Sequence, residues 1–310
     1  MKAQSKTYLL ILGSPFSGST MLGNALNQSA DVSFLGEVNS CAHAFLDYKE
    51  DDAVFQQRRR DRCHISSELG ESCSFWTDAL SEELQGMGPR QALEHLVEAA
   101  PGRIVLDDSK YSDWLVYLLR RVGLKKIVAE FRIIVLSRHP LAFAESFVNA
   151  ERVGLGRALE FYSASYRSIF ESVKGLEFDI LRFEEFQEEP VEFTRRILKG
   201  VGTACPDFDR RLQPAAENHS LGGNQSAYFL YPSIAKKLRE RSPLEDAQRE
   251  AVYRGKMLRY AEGIRTFEPD YERWSEVFGD DYAEVVARNG ELLALSRKMG
   301  RDFSIGDGQI

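Results

Sequence analysis

The stretch from Tyr8 to Thr20, YLLILGSPFSGST, constrains the fold more than any other part of the sequence. Its first residues are apolar without interruption, which is typical of a strand buried on both faces of a parallel sheet. A loop of mostly small residues at 13–20 follows, and residues 21–26 (MLGNAL) have the apolar spacing of a helix. A strand, a small-residue loop and a helix start together direct backbone N–H groups at an anion. We therefore predict a phosphate-binding loop at residues 13–20.

This loop has the spacing of a P-loop at every position but one. Gly13 and Gly18 are followed by two hydroxyl residues, but Ser19 stands where a nucleoside triphosphatase has its lysine. That lysine neutralises the β- and γ-phosphates of a triphosphate, so its absence favours a smaller anion. The alternative interpretation is an ordinary turn of glycine and serine between a strand and a helix.

The order of the remaining patterns predicts an α/β fold with a parallel sheet. Strand patterns at 31–37, 103–110, 131–138 and 178–182 alternate with helical patterns at 38–49, 89–100, 111–121, 139–152, 155–173 and 190–200. Such alternation is typical of a parallel α/β sheet with right-handed crossovers. After Pro214 the sequence predicts helices without strands. We expect one domain over 1–310, with an α/β core at about 7–202 and a mostly helical part at about 214–310.

Composition and charge exclude several classes of protein. A net charge of −7 and a pI near 5.5 argue against general nucleic-acid binding, which requires a basic face. No apolar run reaches the length of a membrane span, and the first residues leave no room for a signal peptide. The four cysteines are too scattered for a disulfide framework, so we expect a reduced, cytoplasmic protein. Cys63, His64 and Cys73 match no zinc spacing, and we expect no metal.

Polar residues follow the predicted strands. In an open parallel sheet the ligand binds at the carboxyl ends of the strands, so we expect the loop, Glu37, residues 107–110 and residues 137–139 to lie together. Arg138 ends one strand and Ser146 lies eight residues later in the following helix, and the two together suit one phosphate. Taken singly, Arg138 also suits a surface ion pair, and Ser146 a solvated helix position.

The charged residues at these strand ends are the candidate catalytic groups. Glu37 follows a glycine at a strand end, Asp107 and Asp108 end another strand, and each carboxylate suits a general base. Lys110 suits a contact to an anion. Glu37 and Lys110 are each also compatible with a solvated charge.

Five segments resemble the sulfotransferases that use 3′-phosphoadenosine 5′-phosphosulfate (PAPS), especially the bacterial branch and the tyrosylprotein sulfotransferases. GSPFSGSTML resembles their 5′-phosphosulfate loop, and RIIVLSRHPLAFAESF resembles their 3′-phosphate motif, with Arg138 and Ser146 at the family's separation. NQSADVSFLGE resembles a segment that ends in Gly-Glu, and VLDDSK resembles a D-x-S-K strand end. ILRFEEFQEEPVEFTRRILKGVG resembles a strand–helix segment, with Phe183 in place of the usual tyrosine.

The resemblance implies a fold, a reaction and a set of residue roles. The fold is a three-layer α/β sheet related to nucleotide kinases. The reaction is in-line transfer of the sulfuryl group of PAPS to a hydroxyl of a small-molecule, saccharide or natural-product acceptor, with 3′,5′-adenosine bisphosphate (PAP) as product and no metal. The residues that would hold the 5′-phosphosulfate are Ser14, Phe16, Ser17, Gly18, Ser19 and Thr20, and those for the 3′-phosphate are Arg138 and Ser146. Glu37 matches a general base, and Lys110 matches a lysine that assists the leaving phosphate.

Two departures from the family pattern leave other functions open. Phe16 stands where the family has arginine or lysine, and a phenylalanine cannot stabilise the bridging oxygen of the donor. Gly222-Gly223-Asn224 is followed by Gln225-Ser226-Ala227, whereas bacterial members place an arginine there. The alternatives are a degenerate P-loop kinase, which binding of Mg-ATP would favour, and a catalytically weakened sulfotransferase-like binding protein.

Overall fold

The computed structural model describes residues 5–40, 48, 73–210, 212, 219, 264, 266–279, 294–295, 297–299, 304–305 and 308–309. Several sequence-based predictions fall outside these residues. They are most of the helix at 38–49, Cys63 and His64, the Gly222-Gly223-Asn224 segment, and most of the helical part at 214–310.

Strands and helices alternate along the described residues. The strands are β1 (Thr7–Gly13), β2 (Val32–Gly36), β3 (Ile104–Lys110), β4 (Glu130–Ser137), β5 (Asp179–Arg182), β6 (Ser304–Ile305) and β7 (Gly308–Gln309). The α-helices are α1 (Ser19–Leu26), α2 (Asp78–Leu84), α3 (Pro89–Ala99), α4 (Ser112–Tyr117), α5 (Pro140–Glu151), α6 (Leu155–Ser172), α7 (Phe183–Glu188), α8 (Pro190–Gly200) and α9 (Tyr271–Phe278).

The central sheet is parallel and has the strand order β2-β3-β1-β4-β5. β1 lies in the middle, and all seven of its residues are buried. Because β3 and β4 are the two neighbours of β1, the loop that follows β1 lies between the carboxyl ends of those strands. The parallel α/β sheet predicted from the sequence is confirmed.

Side chains of β1 alternate between the two faces of the sheet, and helices cover both faces. Tyr8, Leu10 and Leu12 belong to an apolar cluster with residues of α3, α4, α5 and α6. Leu9 and Ile11 belong to a second cluster with residues of α1, α7 and α8. The three layers therefore bury β1 on both sides, which is why its sequence is apolar throughout.

The helix predicted at 111–121 is divided in the structure. α4 ends at Tyr117, and a π-helix follows over Leu118–Val122 before Gly123, whose φ of 73° ends the segment. Leu118 and Val122 are buried, whereas Arg120 and Arg121 are exposed. This distribution of apolar and charged residues suits an α-helix equally well, so the sequence pattern alone did not distinguish the two.

Two helices and a pair of short strands were not identified from the sequence. α2 begins after Thr77, whose hydroxyl accepts a hydrogen bond from the backbone N–H of Leu80 at 3.0 Å. α7 is a six-residue helix in the segment directly after β5. The prediction that no strand follows Pro214 is wrong, because β6 and β7 form a short antiparallel pair. The sequence signal for such a pair is the Gly-Asp-Gly run at 306–308, a composition typical of turns.

Candidate active site

The loop after β1 has the turn and the helix start that the sequence predicts. The backbone N–H of Ser17 donates to the carbonyl of Ser14 at 3.1 Å, and Gly18 adopts a left-handed φ of 91° directly before α1. A Cβ atom at Gly18 would come within 2.2 Å of the Phe183 ring. Both the backbone conformation and the nearby ring therefore require glycine at this position.

The loop hydroxyls divide into two pairs. Ser14 and Ser17 are fully buried, and neither hydroxyl oxygen has a hydrogen-bond partner among the described residues. Leaving a buried polar group unpaired typically costs about 1–3 kcal/mol, so these two hydroxyls suit a polar ligand. The hydroxyls of Ser19 and Thr20 instead donate to one carboxylate oxygen, Oδ2 of Asp108, at 3.0 and 3.2 Å.

Lys110, at the end of β3, is a buried cation between two carboxylates. Its Nζ forms an ion pair with Oε1 of Glu37 and lies 3.5 Å from Oδ2 of Asp108. Burial alone would lower the pKa of Lys110, but the negative charges of Asp108 and Glu37 outweigh burial and raise that pKa above its ordinary value. For Asp108 the largest effect is burial, which raises its pKa to about 6. The positive charge of Lys110 opposes this shift. The group at this strand end thus combines a firmly protonated lysine with two carboxylates.

Asp107 and Asp108 are adjacent in β3 and face opposite sides of the sheet. Oδ2 of Asp107 accepts hydrogen bonds from the Tyr8 hydroxyl and from the Trp114 indole, both at 2.7 Å. Its Oδ1 accepts a hydrogen bond from the backbone N–H of Ser109 at 2.8 Å. Asp107 is therefore tied into the apolar layer beneath α4, and of the two aspartates only Asp108 contacts the loop hydroxyls.

Arg138 and Ser146 lie together on the other side of the loop. The Arg138 Nη1 atom donates to the hydroxyl oxygen of Ser146 at 3.3 Å and to the carbonyl oxygen of Phe16 at 2.8 Å. The Tyr162 hydroxyl donates to the carbonyl oxygen of Arg138 at 2.7 Å. The two contacts of Nη1 hold the guanidinium between the loop and α5, and the Tyr162 contact holds the backbone of Arg138.

The uncharged ring of Phe16 is half-buried and packs against the apolar core. It meets the ring of Phe147 edge-to-face, with ring centroids 6.1 Å apart. The backbone of Phe16 has a φ of 62°, an uncommon conformation for a residue with a side chain. This conformation accompanies the contact between its carbonyl and Arg138.

Residues 266–278 pack beside the Arg138–Ser146 pair. The imidazole of His139 stacks on the indole of Trp274, with ring centroids 5.1 Å apart and an interplanar angle of 9°. Arg273 of α9 forms an ion pair with Glu145, the residue before Ser146 in α5. A segment from near the end of the chain thus supports the helix that carries Ser146.

The described residues include neither a cluster of three metal-ligand side chains nor a helix able to span a membrane. In that part of the chain, no three side chains of His, Cys, Asp or Glu are grouped as metal ligands would be. Sγ of Cys73 lies 3.5 Å from Nδ1 of His219, a contact that the sequence did not predict. No helix within the described ranges has the length and apolar character needed to cross a membrane.

A family model described as the sulfotransferase family matches residues 9–207, which is more than half of the chain. The chain belongs to the sulfotransferase family. All five segments that carry the resemblance lie within the matched residues, so the family predicted from the sequence is confirmed. This sulfotransferase is accordingly a transferase enzyme. No curated protein matches it.

One solved sulfotransferase structure resembles this sulfotransferase in fold. A sulfotransferase domain from the curacin biosynthetic pathway overlaps with a TM-score of 0.51 at 18% identity, over 83% of this chain and 96% of that one. A sulfotransferase domain from the Synechococcus PCC 7002 olefin synthase overlaps with a TM-score of 0.43 at 16% identity, over 86% of this chain and 96% of that one. At 18% identity, the likeness to the curacin-pathway domain shows the fold alone.

The structure places the predicted site residues in two groups. Glu37 and Lys110 lie on the β3 side of the loop, and Arg138 and Ser146 lie on the β4 side. Their roles in binding and catalysis stay predictions. Sequence reasoning considered Asp108 only as a possible base and missed its contacts with the loop. The available signal was its place beside Lys110 at a strand end, with Asp107 turned to the opposite face.

Proposed function

We propose that this sulfotransferase moves the sulfuryl group of PAPS to a hydroxyl of a small-molecule, saccharide or natural-product acceptor. The observation that carries the proposal is the placement of two cations on opposite sides of one loop. Lys110 lies on one side, and Arg138 with Ser146 lies on the other. PAPS has two separate anionic groups, a 5′-phosphosulfate and a 3′-phosphate, and so suits a site with two cations.

The loop is proposed to hold the 5′-phosphosulfate. The buried hydroxyls of Ser14 and Ser17, which have no partner in the part of the chain that the structure describes, support this, because a bound oxyanion would accept hydrogen bonds from both. The start of α1 adds backbone N–H groups and the positive end of a helix. The residues proposed to make these contacts, through side chain or backbone, are Ser14, Phe16, Ser17, Gly18, Ser19 and Thr20.

Arg138 and Ser146 are proposed to hold the 3′-phosphate. A guanidinium presents a planar fork that matches two phosphate oxygens, and a serine hydroxyl beside it adds a third donor. The contacts of Arg138 with Phe16 and Ser146 support the proposal because they hold the guanidinium in place before any ligand arrives. Prior orientation reduces the entropy lost on binding.

Glu37 and Lys110 are proposed to act on the reacting groups. Glu37 accepts the proton of the acceptor hydroxyl while the oxygen of that hydroxyl bonds to sulfur. At the same time, the bond between sulfur and the bridging oxygen of PAPS breaks. Lys110 stabilises the negative charge that grows on the departing phosphate, which leaves as PAP. Because the Phe16 ring packs on Phe147, Lys110 is the cation proposed to serve where other family members use a loop arginine or lysine.

Calorimetric titration of PAP, 5′-AMP and Mg-ATP into the protein tests the donor. We expect tight binding of PAP, and binding at least tenfold weaker of 5′-AMP, because only PAP has a 3′-phosphate for Arg138. Arg138→Ala should lose the preference for PAP. Arg132→Ala, which removes an exposed arginine of β4 paired with Glu130, is the matched control and should bind as the wild type does.

Each of the other results contradicts the proposal in a different way. Preference for Mg-ATP over PAP would favour a degenerate kinase. Binding of PAP without sulfate transfer to any hydroxyl acceptor in a broad panel would favour a binding protein. Absence of PAP binding would remove PAPS as the donor.

A further inference from the structure

We propose that Asp108 is a positioning residue for sulfuryl transfer, which seats the Lys110 ammonium where a P-loop triphosphatase seats its magnesium ion. The inference rests on the proposed function of the site. It assigns Asp108 no contact with the substrate. Asp108 acts through Lys110 and through the two loop hydroxyls that it holds.

One oxygen atom of Asp108 gathers three groups from two parts of the chain. Oδ2 accepts from the Ser19 hydroxyl at 3.0 Å and the Thr20 hydroxyl at 3.2 Å, and it lies 3.5 Å from Nζ of Lys110. The hydroxyls belong to the first turn of α1, whereas Asp108 and Lys110 end β3. A single carboxylate oxygen thereby sets the distance between the lysine and the loop.

The arrangement has a counterpart in the general chemistry of P-loop proteins. In P-loop triphosphatases, a Ser or Thr after the loop lysine and an Asp at a strand end together hold Mg²⁺ beside the phosphates. Here Thr20 and Asp108 supply that hydroxyl and that carboxylate, and Lys110 lies against the same carboxylate oxygen. A cation that belongs to the chain is thus seated where the other proteins recruit a metal ion.

Stability alone does not account for Asp108. The residue is fully buried, and its Oδ1 atom has no hydrogen-bond partner among the described residues. A buried ion pair contributes little net stability, because desolvation of both charges offsets their attraction. Asp107, equally buried, shows the structural alternative, since donors from Tyr8 and Trp114 reach one of its oxygens and Ser109 the other. The incomplete satisfaction of Asp108 points to a role in orienting Lys110.

Lys110 passes this constraint on to the proposed base. Its Nζ contacts both Asp108 and Glu37, so the lysine connects the loop hydroxyls to the carboxylate that would take the acceptor proton. Without Asp108 the lysine keeps only Glu37 as a charged partner within this group. It would then follow Glu37 and move away from the departing phosphate.

Asp108→Asn tests the proposal with little change of shape. The asparagine keeps an oxygen for Ser19 and Thr20 but loses the charge that attracts Lys110. We expect kcat for sulfate transfer to fall about tenfold to a hundredfold, the range typical when a supporting residue loses its partner. KM for PAPS and the affinity for PAP should change less than about threefold. If the wild type transfers sulfate and Asp108→Asn does so with the same kcat, the proposal is overturned.

A titration of Lys110 separates this proposal from the proposed function, because it needs no substrate. The ¹³Cε resonance of Lys110, assigned by its loss in Lys110→Met, reports the charge of the lysine. Its pKa should fall in Asp108→Asn, and it should not fall in Asp107→Asn, which removes an equally buried carboxylate that does not contact Lys110. If Lys110 titrates alike in Asp108→Asn and the wild type, the positioning contact is refuted, whatever the enzyme transfers.

A measurement that keeps Asp108 protects the test against misfolding of either aspartate variant. The ionisable groups that act on Asp108 are Lys110, Glu37 and Asp107. As Asp108 ionises near pH 6, the Lys110 resonance should shift, and it should shift in Glu37→Gln as well. Loss of that inflection in Glu37→Gln would contradict the contact between Lys110 and Asp108.

Discussion

The guanidinium of Arg138 donates a hydrogen bond to the main-chain carbonyl of Phe16, a residue 122 positions earlier in the sequence. This bond connects the loop proposed to hold the 5′-phosphosulfate with the strand end proposed to hold the 3′-phosphate. It uses the backbone of Phe16, so the side chain can change without removing it. Position 16 is therefore suited to tests of what a loop cation contributes.

Phe16→Arg should raise kcat for sulfate transfer. Restoring a cation at the bridging oxygen supplies stabilisation that typically changes a rate on the order of a hundredfold. The measurement is turnover of PAPS to PAP with a fixed acceptor. Phe16→Leu is the matched control, because it removes the edge-to-face contact with Phe147 without adding charge, and its kcat should not rise. An increase in both variants would attribute the gain to a loosened loop.

Gly18→Ala should destabilise the protein and weaken binding of PAP. The new Cβ meets the Phe183 ring, and the residue must also keep a left-handed φ of 91°. The backbone strain costs about 1–2 kcal/mol, and overpacking adds about 1–3 kcal/mol. Gly86→Ala is the matched control, because Gly86 has a φ of 86° and nothing within 4 Å of its Cβ position. Urea denaturation of both variants isolates the contribution of the clash, and equal losses would contradict it.

Glu37→Ala should abolish sulfate transfer and leave PAP binding intact. The variant removes the proposed base, whereas Lys110 keeps its ion pair with Asp108. Single-turnover assays with pre-bound PAPS measure the chemical step, and calorimetry with PAP measures binding. Unchanged turnover would assign the base to another group. A parallel loss of PAP affinity would show that Glu37 shapes the nucleotide site.

Stability and activity should change in opposite directions as Asp108 ionises. Because burial raises the pKa of Asp108 to about 6, the folded protein between about pH 4 and 6 binds a proton that the unfolded chain releases. The free energy of unfolding therefore falls as pH rises through this window. Activity should rise in the same window, because the ionised carboxylate attracts Lys110.

The comparison with Asp108→Asn isolates this effect. Asp107, whose pKa burial also raises, contributes a fall of the same sign, so the fall should be smaller in the variant but not absent. Urea denaturation at successive pH values gives the two stability curves. Identical slopes in wild type and variant would show that Asp108 does not titrate in this range.

Much of the fold was predictable because the sheet is buried on both faces. Apolar runs such as residues 8–12 and 133–136 admit few other interpretations, and the alternation with helices predicts parallel strands. The proximity of Arg138 and Ser146 also followed from their eight-residue spacing, with one at a strand end and the other in the next helix. These predictions depended on residues close together in sequence.

The remaining part of the site depended on contacts that no local pattern encodes. Asp107 and Asp108 could not be distinguished from the sequence, because the face that each side chain reaches depends on the phase of β3 relative to β1. The direction of the Phe16 ring depends on Phe147, which belongs to a different element. In both cases the direction of the side chain is determined by tertiary packing and not by the local sequence.

The stacking of His139 on Trp274 has a consequence for the limits of the functional unit. The family likeness ends at residue 207, yet Trp274 and Arg273 lie beyond it and pack on the helix that carries Ser146. During synthesis, the strand ends and the loop are complete long before this support is made. A fragment that stops at residue 207 would therefore contain all the family motifs but would lack the contacts of Arg273 and Trp274 that support the motif with Arg138 and Ser146.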